Sequence, residues 1–126
     1  MLQPFLPAVS GEGELSLIYL GGGFSHAVRK VAAQGDFRVQ REHGGAYTVF
    51  DPPAEALALA QAALAAAPAP PAYARADLIR LPGGGLAVIE LELIEPDLYL
   101  DLVPGAHAAF GAALAPLLTG KRAAAG

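Results

Sequence analysis

Apolar, strand-forming residues dominate two stretches that each fold back on glycines, and in the second they alternate with charged positions. Leu15-Ser16-Leu17-Ile18-Tyr19-Leu20 is rich in strand formers, and Gly21-Gly22-Gly23 supplies the positive φ of a tight turn. Phe24 to Lys30 then returns as the partner strand. A second hairpin runs from Ala72 to Leu81, turns at Pro82-Gly83-Gly84-Gly85 and comes back from Leu86 to Ile94. Asp51-Pro52-Pro53 followed by Ala54 to Ala67 reads as a capped helix with Asp51 at the N-cap and a stripe of Leu57, Ala60, Leu64 and Ala67. Pro68-Ala69-Pro70-Pro71 cannot continue it. A last helix is expected over Ala106 to Leu118, burying Phe110, Leu114 and Leu117, with Pro116 disturbing its final turn. Thr119 to Gly126 reads as a disordered tail. The prediction is an α+β domain over residues 1–118: an antiparallel sheet from the two hairpins, with helices 52–67 and 106–118 packed on one face.

Strand geometry turns this layout into chemistry. Along Leu86 to Ile94, Ala87, Ile89, Leu91 and Leu93 are expected on one face, and Leu86, Val88, Glu90, Glu92 and Ile94 on the other. On the partner strand Tyr73, Arg75, Asp77, Ile79 and Leu81 share a face. Pairing Leu81 with Leu86 sets Asp77 opposite Glu90 and Arg75 opposite Glu92, with Cβ atoms about 5 Å apart. Opposed carboxylates destabilise a sheet unless something cationic lies between them. Asp77, Glu90 and Glu92 are hard oxygen ligands without His or Cys nearby, a set that suits Mg²⁺ or Mn²⁺. A solvated strand face with an ordinary Glu–Arg pair is the plainer reading of the same residues. In the first hairpin, pairing Leu20 with Phe24 sets Ser16 opposite Val28 and Glu14 opposite Lys30. Such a Glu–Lys pair is usually surface decoration worth under about 1 kcal/mol. His26 shares the face of Lys30, and a packed or solvent-facing role is the ordinary one for it.

Composition narrows the classes. The chain has 126 residues, the length of one domain, and is 54% hydrophobic with no Cys. Disulfides, zinc-thiolate sites and thiol catalysis are thereby excluded. A formal net charge of −4 gives nucleic acid no basic footprint. Glu12, Glu14, His26, Arg29 and Asp36 break the apolar runs, so no membrane span is expected despite a mean hydropathy of +0.42. The N-terminus has no positive n-region, and a cytoplasmic location is the expectation. Only 16% of residues are charged, which predicts self-association through exposed apolar surface. Between the first hairpin and the first helix, residues 35–45 form a polar, glycine-ended stretch. It is either a functional loop or a plain connection.

Several motifs in order resemble the C-terminal portion of an ATP-grasp carboxylate–amine ligase. Gln3-Pro4-Phe5-Leu6-Pro7-Ala8-Val9 resembles the hinge segment that packs on adenine in the glutathione synthetase group. Phe37-Arg38 followed by Gly44-Gly45 is similar to a loop of the ribosomal-protein glutamate-ligase group. Tyr73-Ala74-Arg75-Ala76-Asp77 with Glu90-Leu91-Glu92 resembles the paired metal-ligand strands. Phe24-Ser25-His26-Ala27-Val28 and Glu90 to Pro96 resemble the branch that contains the cycloserine-forming cyclo-ligase.

The resemblance implies ATP and Mg²⁺ (or Mn²⁺), with small carboxylate and amine substrates joined through an acyl phosphate. It implies Asp77, Glu90 and Glu92 as metal ligands, and Lys30 on the phosphates. Glu14 (or Glu12) would take the ribose hydroxyls, and Gln3, Pro4, Phe5 and Leu6 the adenine. Arg38 with the Gly44 and Gly45 amides would stabilise the reacting centre, and Arg75 would hold a substrate carboxylate. Two departures stand out: Glu92 where Asn is frequent, and Ser16 where the glutathione synthetase group tends to carry Arg. The family's ATP lobe would precede residue 1, so the chain is expected to be a fragment, a mis-started product or a truncated paralogue. The alternative function is a non-catalytic remnant that dimerises or binds a small ligand.

Overall fold

The computed structural model describes residues 4–9, 11–33 and 45–120. Five strands form one antiparallel sheet in the order β3-β2-β1-β4-β5: β1 Glu14–Leu20, β2 Gly23–Val31, β3 Ala46–Phe50, β4 Tyr73–Arg80 and β5 Leu86–Glu92. Two helices accompany it, α1 Ala54–Ala65 and α2 Ala106–Leu118, with short 3-10 turns at Pro7–Val9 and Leu100–Leu102. The α+β class and the antiparallel sheet match the expectation. The fifth strand, β3, is an addition: Ala46-Tyr47-Thr48-Val49-Phe50 has good strand formers but is short and sits at an edge.

Neither hairpin turns where simple pairing puts it. Leu20 pairs with Gly23 across a two-residue Gly21-Gly22 turn whose φ angles are +62° and +86°. Two positive φ values in succession define a turn that only glycine makes freely. The register then shifts between Ile18 and Tyr19, leaving Ser25 as an extra residue in β2. In the second hairpin Arg80 pairs with Leu86, and the shift between Asp77 and Leu78 leaves Ile89 extra in β5. Each bulge moves the register by one residue and restores the pairing counted from the sequence. Glu14 faces Lys30, Ser16 faces Val28, Asp77 faces Glu90 and Arg75 faces Glu92.

The bulge also corrects the expected faces of β5. Leu86 and Val88 join Leu91 and Leu93 against the apolar core, where unbroken alternation would have opposed the two pairs. Beyond Glu92 the strand ends, and Ile94 is 85% exposed.

One face of the sheet carries Leu15, Leu17 and Tyr19 of β1 and Ala74, Ala76 and Leu78 of β4, and α1 lies on it. Ala56 and Ala60 are the fully buried residues of that helix, so small side chains meet the sheet alanines and the backbones approach closely. Leu57 and Leu64 pack at the margin. Asp51 is not the N-cap: Pro53 holds that position with φ −66° and ψ 158°, and no side chain caps the helix. A proline there presets the backbone but offers no acceptor. The helix closes at Ala65, and Ala66 and Ala67 bond in 3-10 fashion to Ala63 and Leu64.

The opposite face is bounded by Leu98, Tyr99 and Phe110 of α2, which cluster with Ile18, Val28 and Tyr73. The helices therefore attend two faces of the sheet, because Phe110 stacks edge-on against Tyr73 at 5.7 Å. Ala106 is the buried residue of α2, while Phe110 and Leu114 are half-buried and Leu117 is 48% exposed. Pro116 stays inside the helix. Residues 121–126 of the expected tail lie outside the described residues. No described helix is long and apolar enough to cross a membrane.

Candidate functional site

The face bounded by Leu98, Tyr99 and α2 holds the charged residues. Two rows cross the sheet at right angles to the strands, one through Val28, Ser16, Asp77 and Glu90, the next through His26, Ile18, Arg75 and Glu92. Lys30 and Glu14 pair one step further along. Pleating sends every second side chain to the same face, so strands of ordinary composition assemble the cluster by register alone.

Gly13 is part of the same placement. Its φ is +86°, and a Cβ there would collide with the Lys30 carbonyl oxygen and Val31 Cγ2. Only glycine lets the chain enter β1 this close to the residue that carries the amine.

Asp77 is the centre, 1% exposed. Its Oδ1 accepts from Ser16 Oγ at 2.5 Å and from Arg75 Nε at 3.0 Å. Its Oδ2 accepts from Arg75 Nη2 at 2.9 Å and Nε at 3.1 Å. Lys30 Nζ lies 3.5 Å from Asp77 and 3.3 Å from Glu14. Arg75 Nη2 reaches Glu92 at 3.0 Å and Glu90 at 3.9 Å. A buried charge this well partnered is expected, because unpaired burial of an ion is costly.

Among the described residues, four carboxylates thus meet two cations, and their balance is negative. One oxygen from each of Asp77, Glu90 and Glu92 lies within 4.8 Å of the others. Desolvation, followed by Glu92 and then Asp77, raises the Glu90 carboxyl above its ordinary range against a lowering pull from Arg75. For Arg75 burial works against the charged form, but the hydrogen bond and charge of Asp77, with Glu92, outweigh it and raise the guanidinium. Three converging hard oxygens under like-charge stress fit a small divalent ion such as Mg²⁺ or Mn²⁺.

Residues 96–99 lie across this cluster. Arg75 Nη1 donates to the Asp97 carbonyl at 3.1 Å. His26 Nε2 lies 2.8 Å from the Leu98 carbonyl and must be the donor, since that oxygen only accepts. The free Nδ1 then takes the Ser25 hydroxyl at 2.8 Å. Tyr99 sits at φ +52°, its amide donating to Asp97 Oδ1 at 2.9 Å. Its ring lies 5.8 Å from Lys30 Nζ and 5.7 Å from Arg75 Cζ, with Tyr47 edge-on at 5.4 Å. Burial pushes the Tyr99 phenol up to about 12, with Arg75 pulling the other way.

Of the residues singled out from sequence, Glu14, Lys30, Arg75, Asp77, Glu90 and Glu92 come together. Glu12 is committed elsewhere, to Arg80 Nε at 3.0 Å. Pro4 and Phe5 are exposed, Phe5 by 63%, and Leu6 is half-buried; the Pro7–Val9 turn that follows lies against β4. Gly45 is half-buried one residue before β3. Gln3, Arg38 and Gly44 lie outside the described residues. Sequence reasoning passed over Tyr99 and Asp97. Pro96-Asp97 was the available signal, because an Asp side chain that takes an amide two residues on is a common turn device.

No family model matches the chain. It is 34% identical to the cycloserine biosynthesis protein DcsG of Streptomyces lavendulae, over 94% of this chain. The crystal structure of D-cycloserine synthetase DcsG superposes with a TM-score of 0.78 at 32% identity, over 92% of this chain and 41% of that one. The macrocyclase MdnC of Microcystis aeruginosa, solved with precursor peptide MdnA, is more distant, at a TM-score of 0.46 and 20% identity. In sequence and in fold the chain is similar to DcsG, and it spans 42% of that relative's length.

Proposed function

We propose that this chain carries the metal and phosphate side of an ATP-dependent ligase of the ATP-grasp kind, with residues 1–118 as the C-terminal subdomain. Such a ligase joins a carboxylate to an amine through an acyl phosphate. The observation that carries the reading is the convergence of Asp77, Glu90 and Glu92 beside Lys30 and Arg75 on one sheet face. Likeness to D-cycloserine synthetase DcsG supports it.

In this reading Asp77, Glu90 and Glu92 hold Mg²⁺ or Mn²⁺, which neutralises phosphate charge. Lys30, fixed between Glu14 and Asp77, supplies a point charge to the phosphates. Arg75 presents a planar fork to a carboxylate or phosphoryl oxygen pair. Tyr99 and the segment around it exclude water from the Asp77 side of the cluster. Pro4 to Leu6 with Gln3 form the adenine side, Glu14 takes the ribose, and Arg38 with the Gly44 and Gly45 amides serves the reacting carbonyl. The facing lobe comes from polypeptide equivalent to the rest of DcsG.

The test is calorimetry of Mg²⁺-dependent ATP binding, on this chain and on this chain joined to such a lobe. Binding by the joined form, lost in Asp77→Asn, is the expected result. Absence of binding in both forms rejects the reading.

A further inference from the structure

Resting on that reading of the carboxylates, we propose that the Arg75 guanidinium and the divalent ion are alternative occupants of one position. Entry of the ion then releases Arg75 toward the anion that accompanies it. Nη2 of Arg75 lies 2.9 Å from Asp77 Oδ2, 3.0 Å from Glu92 Oε1 and 3.9 Å from Glu90 Oε2. One nitrogen is ringed by the same three carboxylates whose oxygens converge within 4.8 Å. An ion such as Mg²⁺ needs its oxygens at about 2.1 Å with lone pairs directed at it. A cationic N–H aimed into those oxygens takes the lone pairs and repels the ion.

Asp77 makes the competition unavoidable. Both its oxygens already accept from Arg75, and Oδ1 also takes Ser16. The ion gains an Asp77 oxygen only as the fork lets go.

The released guanidinium has little freedom to leave. Nη1 is tied to the Asp97 carbonyl at 3.1 Å, and the Tyr99 ring stands 5.7 Å from Cζ. Held on that side, the group pivots, and its Nε and Nη2 edge is freed. Two parallel N–H donors on a rigid plane match a phosphoryl or carboxylate oxygen pair. The ion thus frees the clamp for the anion it arrives with, and metal binding precedes the grip on substrate.

The test titrates the full chain with Mn²⁺ alone, following the free ion by spin resonance, in wild type and Arg75→Gln. The variant is expected to bind Mn²⁺ at least tenfold more tightly, because three carboxylates then face Lys30 without the competitor. Equal or weaker binding by the variant, with wild type binding, overturns the proposal and leaves the metal reading standing. Absence of binding in both overturns the metal reading and the proposal with it.

Arg75 is buried, so a second measurement uses wild type only: the Nε–H resonances of Arg75 and Arg80 under Mg²⁺. Saturation should shift the Arg75 signal and speed its exchange with water, while Arg80, paired with Glu12, stays unmoved. An unmoved Arg75 signal with shifted Glu90 and Glu92 carboxyls overturns the proposal. Unmoved carboxyls overturn the metal reading as well.

Discussion

The two faces of the sheet are built by opposite rules from the same strands. On the α1 face, Leu17, Ala74, Ala76 and Leu78 meet Ala56 and Ala60, and fit alone decides stability. On the other face Ser16, Lys30, Arg75 and Asp77 are buried just as deeply, and each is held by a partner of opposite charge or by a hydrogen bond. Residues adjacent in sequence, such as Ala76 and Asp77, thus answer to different physics. The apolar face holds the strands together, and the charged face uses that rigidity to keep like charges close.

Variants on each face sharpen the contrast. Leu78→Ala should cost about 2–5 kcal/mol of stability through the cavity it leaves. Chemical denaturation would measure this, and Mn²⁺ affinity of the folded fraction should not change. Asp77→Asn should cost less, about 2–3 kcal/mol for lost charge-assisted hydrogen bonds, yet abolish Mg²⁺-dependent nucleotide binding. A variant that bound normally would remove Asp77 from the site. Ser16→Ala deletes one hydroxyl donor to a buried carboxylate and should cost about 1–2 kcal/mol, with ion binding weakened only slightly.

The smallest effect is the pH dependence owed to Glu90. Its carboxyl is raised in the folded state, so the native chain binds its proton more readily than the unfolded chain does. That contribution destabilises at neutral pH and fades as pH falls through the raised value into the ordinary carboxylate range. Glu90→Gln should remove this part of the slope, read from denaturation midpoints at successive pH values. An unchanged slope would mean that the Glu90 carboxyl is not raised, by desolvation or by Glu92 and Asp77.

Most of the charged face was legible before the fold was known, and the reason is instructive. Counting back from Leu81 and Leu86 sets Asp77 opposite Glu90, although the strands meet one residue out of that register, with Arg80 opposite Leu86 and the Leu81 amide donating to the Gly85 carbonyl. The bulge at Ile89 cancels that difference. The first hairpin repeats the pattern, with Ser25 compensating for the Gly21-Gly22 turn. Pairing beyond each bulge is therefore as counted, whereas Leu86 and Val88, between bulge and turn, change face. Bulges are tertiary adjustments with no strong local signature, and periodicity alone does not find them. The strand β3 escaped because five residues after a polar stretch carry too short a pattern. The crossing of residues 96–99 escaped because its bonds are long-range, between Arg75 and Asp97 and between His26 and Leu98. Gly13 and Tyr99, at φ +86° and +52°, have roles set by what lies above them.

The position of β5 at the edge of the sheet has a kinetic consequence. Among the described residues, Asp77 sits on β4, flanked by strands on both sides, whereas Glu90 and Glu92 ride on a strand paired along one side. Amide protons of an edge strand exchange through local opening well before those of the centre. When β5 frays, two of the three carboxylates depart while Asp77, Ser16 and Arg75 remain together. The three-carboxylate set is therefore complete only while β5 stays paired with β4. A ligand spanning β4 and β5 would be seen most plainly as slowed hydrogen exchange along residues 86–92.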